Sequence, residues 1–200
     1  MTTTETTDTP TTDVEAEPEL CWLNIADLVP NPDNPRQSLG DLTELVRSIR
    51  ALGVLEPLVV LPADENGKYM IVAGHRRHAG AAEVPGCEVV PAVVRPMSRL
   101  EAMEAMVSEN VNRSDLTVAE EVAAIENMLS IDGGLTPHRL CRRLGRSQAW
   151  VRSRMAVVVL PAKWRDALAT GDLTLAAAEA AASAADLGPE HVEVLCSRLA

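Results

Sequence analysis

Lys68-Tyr69-Met70-Ile71-Val72-Ala73-Gly74-His75-Arg76-Arg77-His78-Ala79-Gly80-Ala81-Ala82 changes character at its middle. Tyr69 to Ala73 is a short, mostly apolar run and predicts a strand. Gly74 breaks the run, and from His75 onward the composition is helical. A strand that turns through glycine into a basic helix start makes an anion site. Free backbone N–H groups and the positive end of the helix dipole face the same way. Arg76 and Arg77 add forked, permanent positive charge there. The stretch reads as a phosphate cradle. The competing reading is an ordinary turn at Gly74 followed by solvated arginines.

Upstream, Asp64-Glu65-Asn66-Gly67 is a hairpin signal, and the run Leu58 to Leu61 before it predicts a buried strand. Glu56-Pro57 leads into that run, so a carboxylate adjoins both a turn and the sheet. Asp41 to Leu52 predicts an amphipathic helix, with Leu42, Leu45, Val46 and Ile49 at helical spacing. Asp41 or Ser38 can cap its start, and Gly53 sits where a left-handed C-cap belongs. Pro30-Asn31-Pro32-Asp33-Asn34-Pro35-Arg36-Gln37 is forced into a loop by its three prolines. Arg36 faces either a ligand or solvent. Cys21 to Val29 predicts a first short strand and turn. Residues 1–20 are Thr-rich and acidic, with too little apolar surface to offset ordering entropy, and predict a disordered tail.

Downstream, Pro85-Gly86 turns the chain into a strand over Val89 to Val94, which Pro91 assigns to a sheet edge. A helix then starts at Ser98 or Arg99 and carries Leu100, Met103, Met106 and Val107 as its core stripe. Its end gathers Glu109, Asn110 and Arg113. A carboxylate beside a carboxamide can hold a hard divalent cation that also touches phosphate oxygens, and Arg113 can reach the same phosphates bidentately. The competing reading is a solvated helix end, with Ser114 or Asp115 capping the next helix. That helix spans Thr117 to Ile131.

Thr136-Pro137 opens a short helix that stops at Gly145, and a second runs from Ser147 to about Val159. Two short helices joined by a glycine turn form a helix-turn-helix pattern. Leu140, Leu144, Val151 and Met155 supply its shared core, with the small Cys141 at the close approach. Ser147, Gln148, Ala149 and Arg152 then lie on the groove-facing part of the second helix. Arg143, Arg146 and Arg154 are read as phosphate contacts. The competing reading is a basic helical hairpin that binds an acidic protein or nothing. Short Ala-rich helices follow to Leu199-Ala200.

Charge is distributed in blocks. The 200 residues carry a net charge of -11, but residues 1–20 hold six carboxylates and no base, while residues 136–165 hold eight bases and no carboxylate. No apolar run approaches the ~20 residues of a membrane-spanning helix, and no signal peptide opens the chain. Cys21, Cys87, Cys141 and Cys196 form no metal-binding spacing, so reduced thiols of a cytoplasmic protein are the simplest account.

Gly53-Val54-Leu55-Glu56-Pro57, Gly74-His75-Arg76-Arg77-His78-Ala79, and Glu109 and Asn110 with Arg113 then Asp115-Leu116 resemble, in order, three motifs of ParB-type partition proteins. Those motifs read G-x-x-Q-P, G-E-R-R and E-N-x-x-R. Glu56 stands in place of Gln, and His75 in place of Glu. The helix pair and the segment Leu160 to Thr174 follow in the same register, so the resemblance runs from about Trp22 to Ala185. It implies an α+β ParB/sulfiredoxin-like domain with a small mixed sheet over residues 21–115. An all-α helix-turn-helix domain would follow over residues 116–200. It also implies a pocket for CTP with Mg²⁺, coupled to closure of a dimeric clamp on double-stranded DNA and opened by slow CTP hydrolysis. By position, Gly74, Arg76 and Arg77 would cradle phosphates with Arg113 in reach of them, His75 would belong to the nucleotide site, and Gly53, Glu56 and Pro57 would line the nucleotide side. Asn110 and Glu109 would hold the metal, with Glu109 assisting the attacking water. A homodimer, a partition ATPase as partner, and a nucleoid-associated location in the cytoplasm are implied as well. Glu56 adds negative charge near the phosphates, and His75 adds positive charge there if protonated.

Three alternatives are weighed. A nucleotide-independent transcription regulator of plasmid or phage type would keep the fold and lose CTP. A ParB-like nuclease needs a carboxylate cluster, for which only Glu56 and Glu109 are candidates. A sulfiredoxin needs a cysteine in the phosphate turn, and Gly74 to Ala79 has none. Little sequence follows Ala185 to form the family's C-terminal dimerisation domain. The chain is therefore read as a fragment or as a shorter relative dimerising through its N-terminal half.

Overall fold

The computed structural model describes residues 18–36, 38–112 and 116–199. The elements in chain order are β1 (Glu19–Asn24), a 3-10 turn (Ile25–Asp27), β2 (Leu28–Pro30), α1 (Thr43–Leu52), β3 (Leu58–Val60), β4 (Tyr69–Ala73), α2 (His75–Ala82), β5 (Val89–Val94) and α3 (Arg99–Asn112). There follow α4 (Val118–Ile131), α5 (Pro137–Leu144), α6 (Gln148–Val158), α7 (Ala162–Thr170), α8 (Leu175–Ala182), a second 3-10 turn (Ala185–Leu187) and α9 (Pro189–Leu199). The first part is a mixed α/β unit, and every regular element after it is helical.

The strands form one sheet in the order β1-β5-β3-β4-β2. β1 and β5 are antiparallel, as are β3 and β4, whereas β2 lies parallel to β4 and β3 parallel to β5. This mixed sheet agrees with the sequence reading, with three corrections. Leu28 to Pro30 is a strand of its own rather than the turn after the first strand. Glu19 and Leu20 pair with Val94 and Val93, so the first strand starts before Cys21, and residues 1–17 of the expected tail lie outside the described residues. β5 lies between β1 and β3, not at an edge. Pro91 is tolerated there because the β3 ladder begins one residue later, at Leu58 opposite Ala92.

β4 explains its own apolar run, because both faces of it are covered. Ile71 packs with Leu28, Ile49, Leu58, Val90 and Ala81, the core beneath α1 and α2. Val72, on the opposite face, packs with Met103, Met106 and Val107 of α3. The same cluster continues into Ile125 and Met128 of α4, Leu140 and Leu144 of α5 and Val151 of α6. The core thus runs across the expected boundary at residue 115, where residues 113–115 lie outside the described chain. A third cluster joins Val122, Val157, Ala178, Val192 and Cys196 of α4, α6, α8 and α9.

Local chemistry sets the ends of the elements. Asp41 Oδ1 accepts from the Thr43 amide (2.8 Å) and hydroxyl (2.6 Å), so it caps α1 from just outside the helix. Thr117 caps α4 in a reciprocal box with Glu120, the role the sequence offered to Ser114 or Asp115, which lie outside the described residues. Thr136 and Ser147 cap α5 and α6, and Gly145 ends α5 at φ 63°.

Candidate functional site

The sheet topology assembles the site. β2 runs parallel to β4, so the loop after Pro30 leaves the sheet where β4 runs into Gly74. β3 runs antiparallel to β4, with Val59 opposite Ala73, so Glu56-Pro57 arrives at the same end. The last turn of α3 closes the third side. The result is a cleft of about 250 Å³ lined by Asn34, Arg36, Glu56, Gly74, His75, Arg76, Arg77, Glu109 and Asn110, with Leu39 and Leu45 at its wall. Segments as far apart in sequence as Asn34 and Asn110, 76 residues, therefore meet at one point.

Gly74 is the N-cap of α2 at φ 95°, ψ 22°. A Cβ there would meet Leu58 Cγ at 3.0 Å, so the turn and the packing both require glycine. No side chain caps α2, and its first intrahelical bond is His78 N–H to the Gly74 carbonyl. The amides of His75, Arg76 and Arg77 lack intrahelical acceptors and stand at the positive end of the helix.

The two arginines are already engaged. Arg76 donates to the Leu39 and Asp41 carbonyls (Asp41 at 2.8 Å), holding the loop before α1. Arg77 donates to the Glu56 and Pro57 carbonyls, both at 2.8 Å, holding the first motif against the cradle. Glu56 is 74% exposed and lies 3.5 Å from Arg77, so its carboxylate is turned out and partnered rather than buried against the cleft. Burial and a hydrogen bond keep His75 neutral near neutral pH. The ring is mostly buried, and its pKa is depressed to about 4 by burial and then by neighbouring His78. Its Nε2 accepts the Asn31 amide at 3.4 Å, which leaves Nδ1 to carry the proton of the neutral ring. The positive charge that a protonated His75 would bring is therefore absent near neutral pH.

Asn110 is buried, and its Nδ2 donates to the Met106 carbonyl at 2.8 Å, so the side-chain oxygen is the end it can offer a cation. Glu109 is half-buried beside it. Among the described residues no group of three or more His, Cys, Asp or Glu side chains is arranged to hold a metal. One carboxylate and one carboxamide nevertheless fit Mg²⁺, which keeps waters and shares phosphate oxygens. Pro57 borders the site through its carbonyl on Arg77, Gly53 ends α1 and does not line the cleft, and Arg113 lies outside the described residues. Asn34 was missed by sequence reasoning, although it sits in the proline loop that singled out Arg36. A larger groove of about 400 Å³ runs between α4 and α7 but holds none of the motif residues.

On the helical side, Ser147, Gln148, Ala149 and Arg152 are exposed on the first turns of α6. The Ser147 hydroxyl caps α6 by accepting the Trp150 amide at 3.1 Å. Arg139, Arg142 and Arg143 line a basic recess on α5, of which the sequence singled out only Arg143. Arg154 and Arg146, expected as phosphate contacts, are engaged within the protein. Arg154 donates to Glu121 of α4 at 2.7 and 2.9 Å, and both side chains are 12% exposed. Arg154 also lies over the Trp150 ring, 4.5 Å from its centre. Arg146 donates to the Val111 carbonyl at 2.5 Å. Arg143 keeps an outward position but pairs with Glu104. The linear charge block is reduced further by Arg139–Asp132, Lys163–Glu193 and Arg165–Glu126. Carboxylates from outside the basic stretch thus engage five of its eight bases.

The model of the ParB N-terminal domain matches residues 10–111. The chain is 38% identical over 159 residues to a chromosome-partitioning protein ParB of Caulobacter vibrioides, covering 78% of this chain and 52% of that protein. It therefore spans about half the length of that relative. A crystal structure of the C-terminally truncated ParB of Caulobacter crescentus complexed to the centromeric parS site is 31% identical. It covers 90% of this chain and 94% of that one, with a TM-score of 0.58. The same truncated protein complexed with CTP-gamma-S is 34% identical and covers 88% and 98%, with a TM-score of 0.45. No helix among the described residues is long and apolar enough to cross a membrane.

Proposed function

Because this chain belongs to the ParB family, we propose that it is a CTP-dependent DNA-binding protein of chromosome or plasmid partition. The observation that carries the nucleotide half is the convergence of Gly74, Arg76, Arg77, Glu109 and Asn110, from distant segments, on one cleft. The cleft is smaller than the ~300–1,000 Å³ of an enclosing ligand pocket, which suits a phosphate chain with the base at the open rim. In this reading the α2 amides and the two arginines hold phosphates, while Gly53, Glu56 and Pro57 flank the base. Cytosine as the base, and hence CTP as the nucleotide, comes from the motif resemblance. Mg²⁺ would be held by Glu109 and Asn110 and would neutralise phosphate charge. Glu109 would also orient the water for slow hydrolysis, and Arg113 would complete the phosphate contacts.

The DNA half is supported by the exposed face of α5 and α6 and by the likeness to a relative solved on parS. Residues 116–200 would form the helix-turn-helix domain that carries this face. Ser147, Gln148, Ala149 and Arg152 would reach base edges, with Arg142 and Arg143 on phosphates. A homodimer acting as a clamp, a partition ATPase and action on the nucleoid in the cytoplasm belong to the same proposal. Fluorescence anisotropy with a duplex carrying parS and with an unrelated duplex tests it. Tighter binding to parS, weakened at least tenfold by Arg152→Ala, is expected, and equal binding to both duplexes contradicts it.

One observation favours a second reading, a nucleotide-independent regulator on the same fold. Arg76 and Arg77 each already donate to two backbone carbonyls, as structural arginines would. On that reading DNA binding is indifferent to CTP.

A further inference from the structure

The proline loop is knitted into one piece. Asn31 is buried; its Oδ1 accepts the Asp33 amide at 2.9 Å, and its carbonyl accepts the Asn34 amide at 3.1 Å. Asn34 Oδ1 in turn accepts the Arg36 amide at 3.2 Å. The piece is fixed at both ends. On the cleft side the Asn31 amide donates to His75, and Asn34 and Arg36 line the wall. On the other side Asp33 leaves the cleft and meets two helices. Arg99, the first residue of α3, grips its carboxylate through Nε at 2.6 Å and Nη2 at 2.9 Å. Asn127 of α4 donates to the same carboxylate at 3.3 Å. Asp33 is 18% exposed and Arg99 64%, so the forked contact sits at the rim with its acceptor shielded.

The consequence is mechanical. α3 touches this loop at its first residue and supplies Glu109 and Asn110 to the cleft from its last turn, about 15 Å further along. α4, the second helix on Asp33, packs directly on α6 and α3. A ligand that pulls the loop toward α2 therefore pulls on α3 and α4 through a single carboxylate. We propose that the 31–36 loop is a rigid relay between the cleft and the helical half, with Asp33 as the positioning residue whose grip by Arg99 and Asn127 couples the two. The proposal rests on the nucleotide reading of the cleft and adds the residues that carry its effect outward. His75 has a part in it: the neutral ring anchors the relay at Asn31.

Hydrogen exchange of the whole chain tests this, with and without CTP and Mg²⁺, in the native protein and in Arg99→Met, Asn127→Ala and Arg99→Lys. Neither position lines the cleft. Without ligand, Arg99→Met is expected to speed exchange of the 33–36 amides at least tenfold while α5 is unchanged. With ligand, the native protein is expected to gain protection in both α2 and α4. In Arg99→Met and Asn127→Ala the α2 protection persists and the α4 protection falls by at least half, and Arg99→Lys restores part of it. Unchanged loop exchange in the unliganded variant, or native α4 protection in the liganded variants, overturns the relay. Absence of α2 protection in the native protein with CTP, ATP, GTP or UTP instead removes the nucleotide reading, and the relay's function with it.

Discussion

Two adjacent residues decide what the cleft can be. Gly74 adopts φ 95° with Leu58 where a Cβ would stand. Gly74→Ala is expected to cost about 1–3 kcal/mol in urea unfolding and to weaken nucleotide binding at least tenfold, because the cradle amides are re-aimed. His75 stays neutral, with its pKa lowered from 6.5 to about 4. The unfolded ring takes a proton as pH falls through 6.5 and the folded ring refuses it until about 4, so stability is full above that window and declines within it. The loss amounts to about 2–4 kcal/mol. His75→Gln is expected to flatten most of the decline, read from urea midpoints at pH 7 and pH 4.5. Equal declines in the variant and the native protein would show that His75 does not carry it. The cradle was legible from Gly74 and the arginines. The carbonyls those arginines hold were not, because Leu39, Asp41, Glu56 and Pro57 come to them only through the sheet.

At the scale of elements, α5 and α6 were readable from Thr136-Pro137, Gly145 and the apolar spacing between them. Their cationic face was not, because a count along the chain cannot see Glu104, Glu121 or Glu126 folding onto it. The two arginines of α6 accordingly separate by experiment. Arg154 is half of a buried pair that ties α6 to α4, and Arg154→Ala strands the Glu121 carboxylate. Unfolding in urea is expected to lose about 3–5 kcal/mol. Arg152 is exposed one turn into the helix, so Arg152→Ala should change stability by less than about 0.5 kcal/mol. It should weaken binding to a parS duplex at least tenfold while leaving binding to an unrelated duplex nearly unchanged, as the loss of a base-reading arginine does. A stability loss at Arg152 or a lost DNA contact at Arg154 without unfolding would reverse the assignment. β2 escaped the sequence for a similar reason: three residues carry too little periodicity, and only pairing with β4 makes Leu28 to Pro30 a strand.

Across the whole molecule, the sheet and the helix pair share one core. Val72 of β4 and Val151 of α6 belong to the same buried cluster, with α3 and α4 between them. An event at the cleft is therefore mechanically continuous with the face of α6, although the chain between them is more than seventy residues long. The net charge of -11 does not forbid DNA, because it is concentrated elsewhere and the α5 and α6 segments contribute no carboxylate to their own surface. The most direct measurement is titration calorimetry of the whole chain with CTP, ATP, GTP and UTP in the presence of Mg²⁺. Saturable heat with CTP alone, with affinity at least tenfold weaker in Gly74→Ala, is predicted. Silence with all four nucleotides, from protein that still binds duplex DNA, would contradict the account.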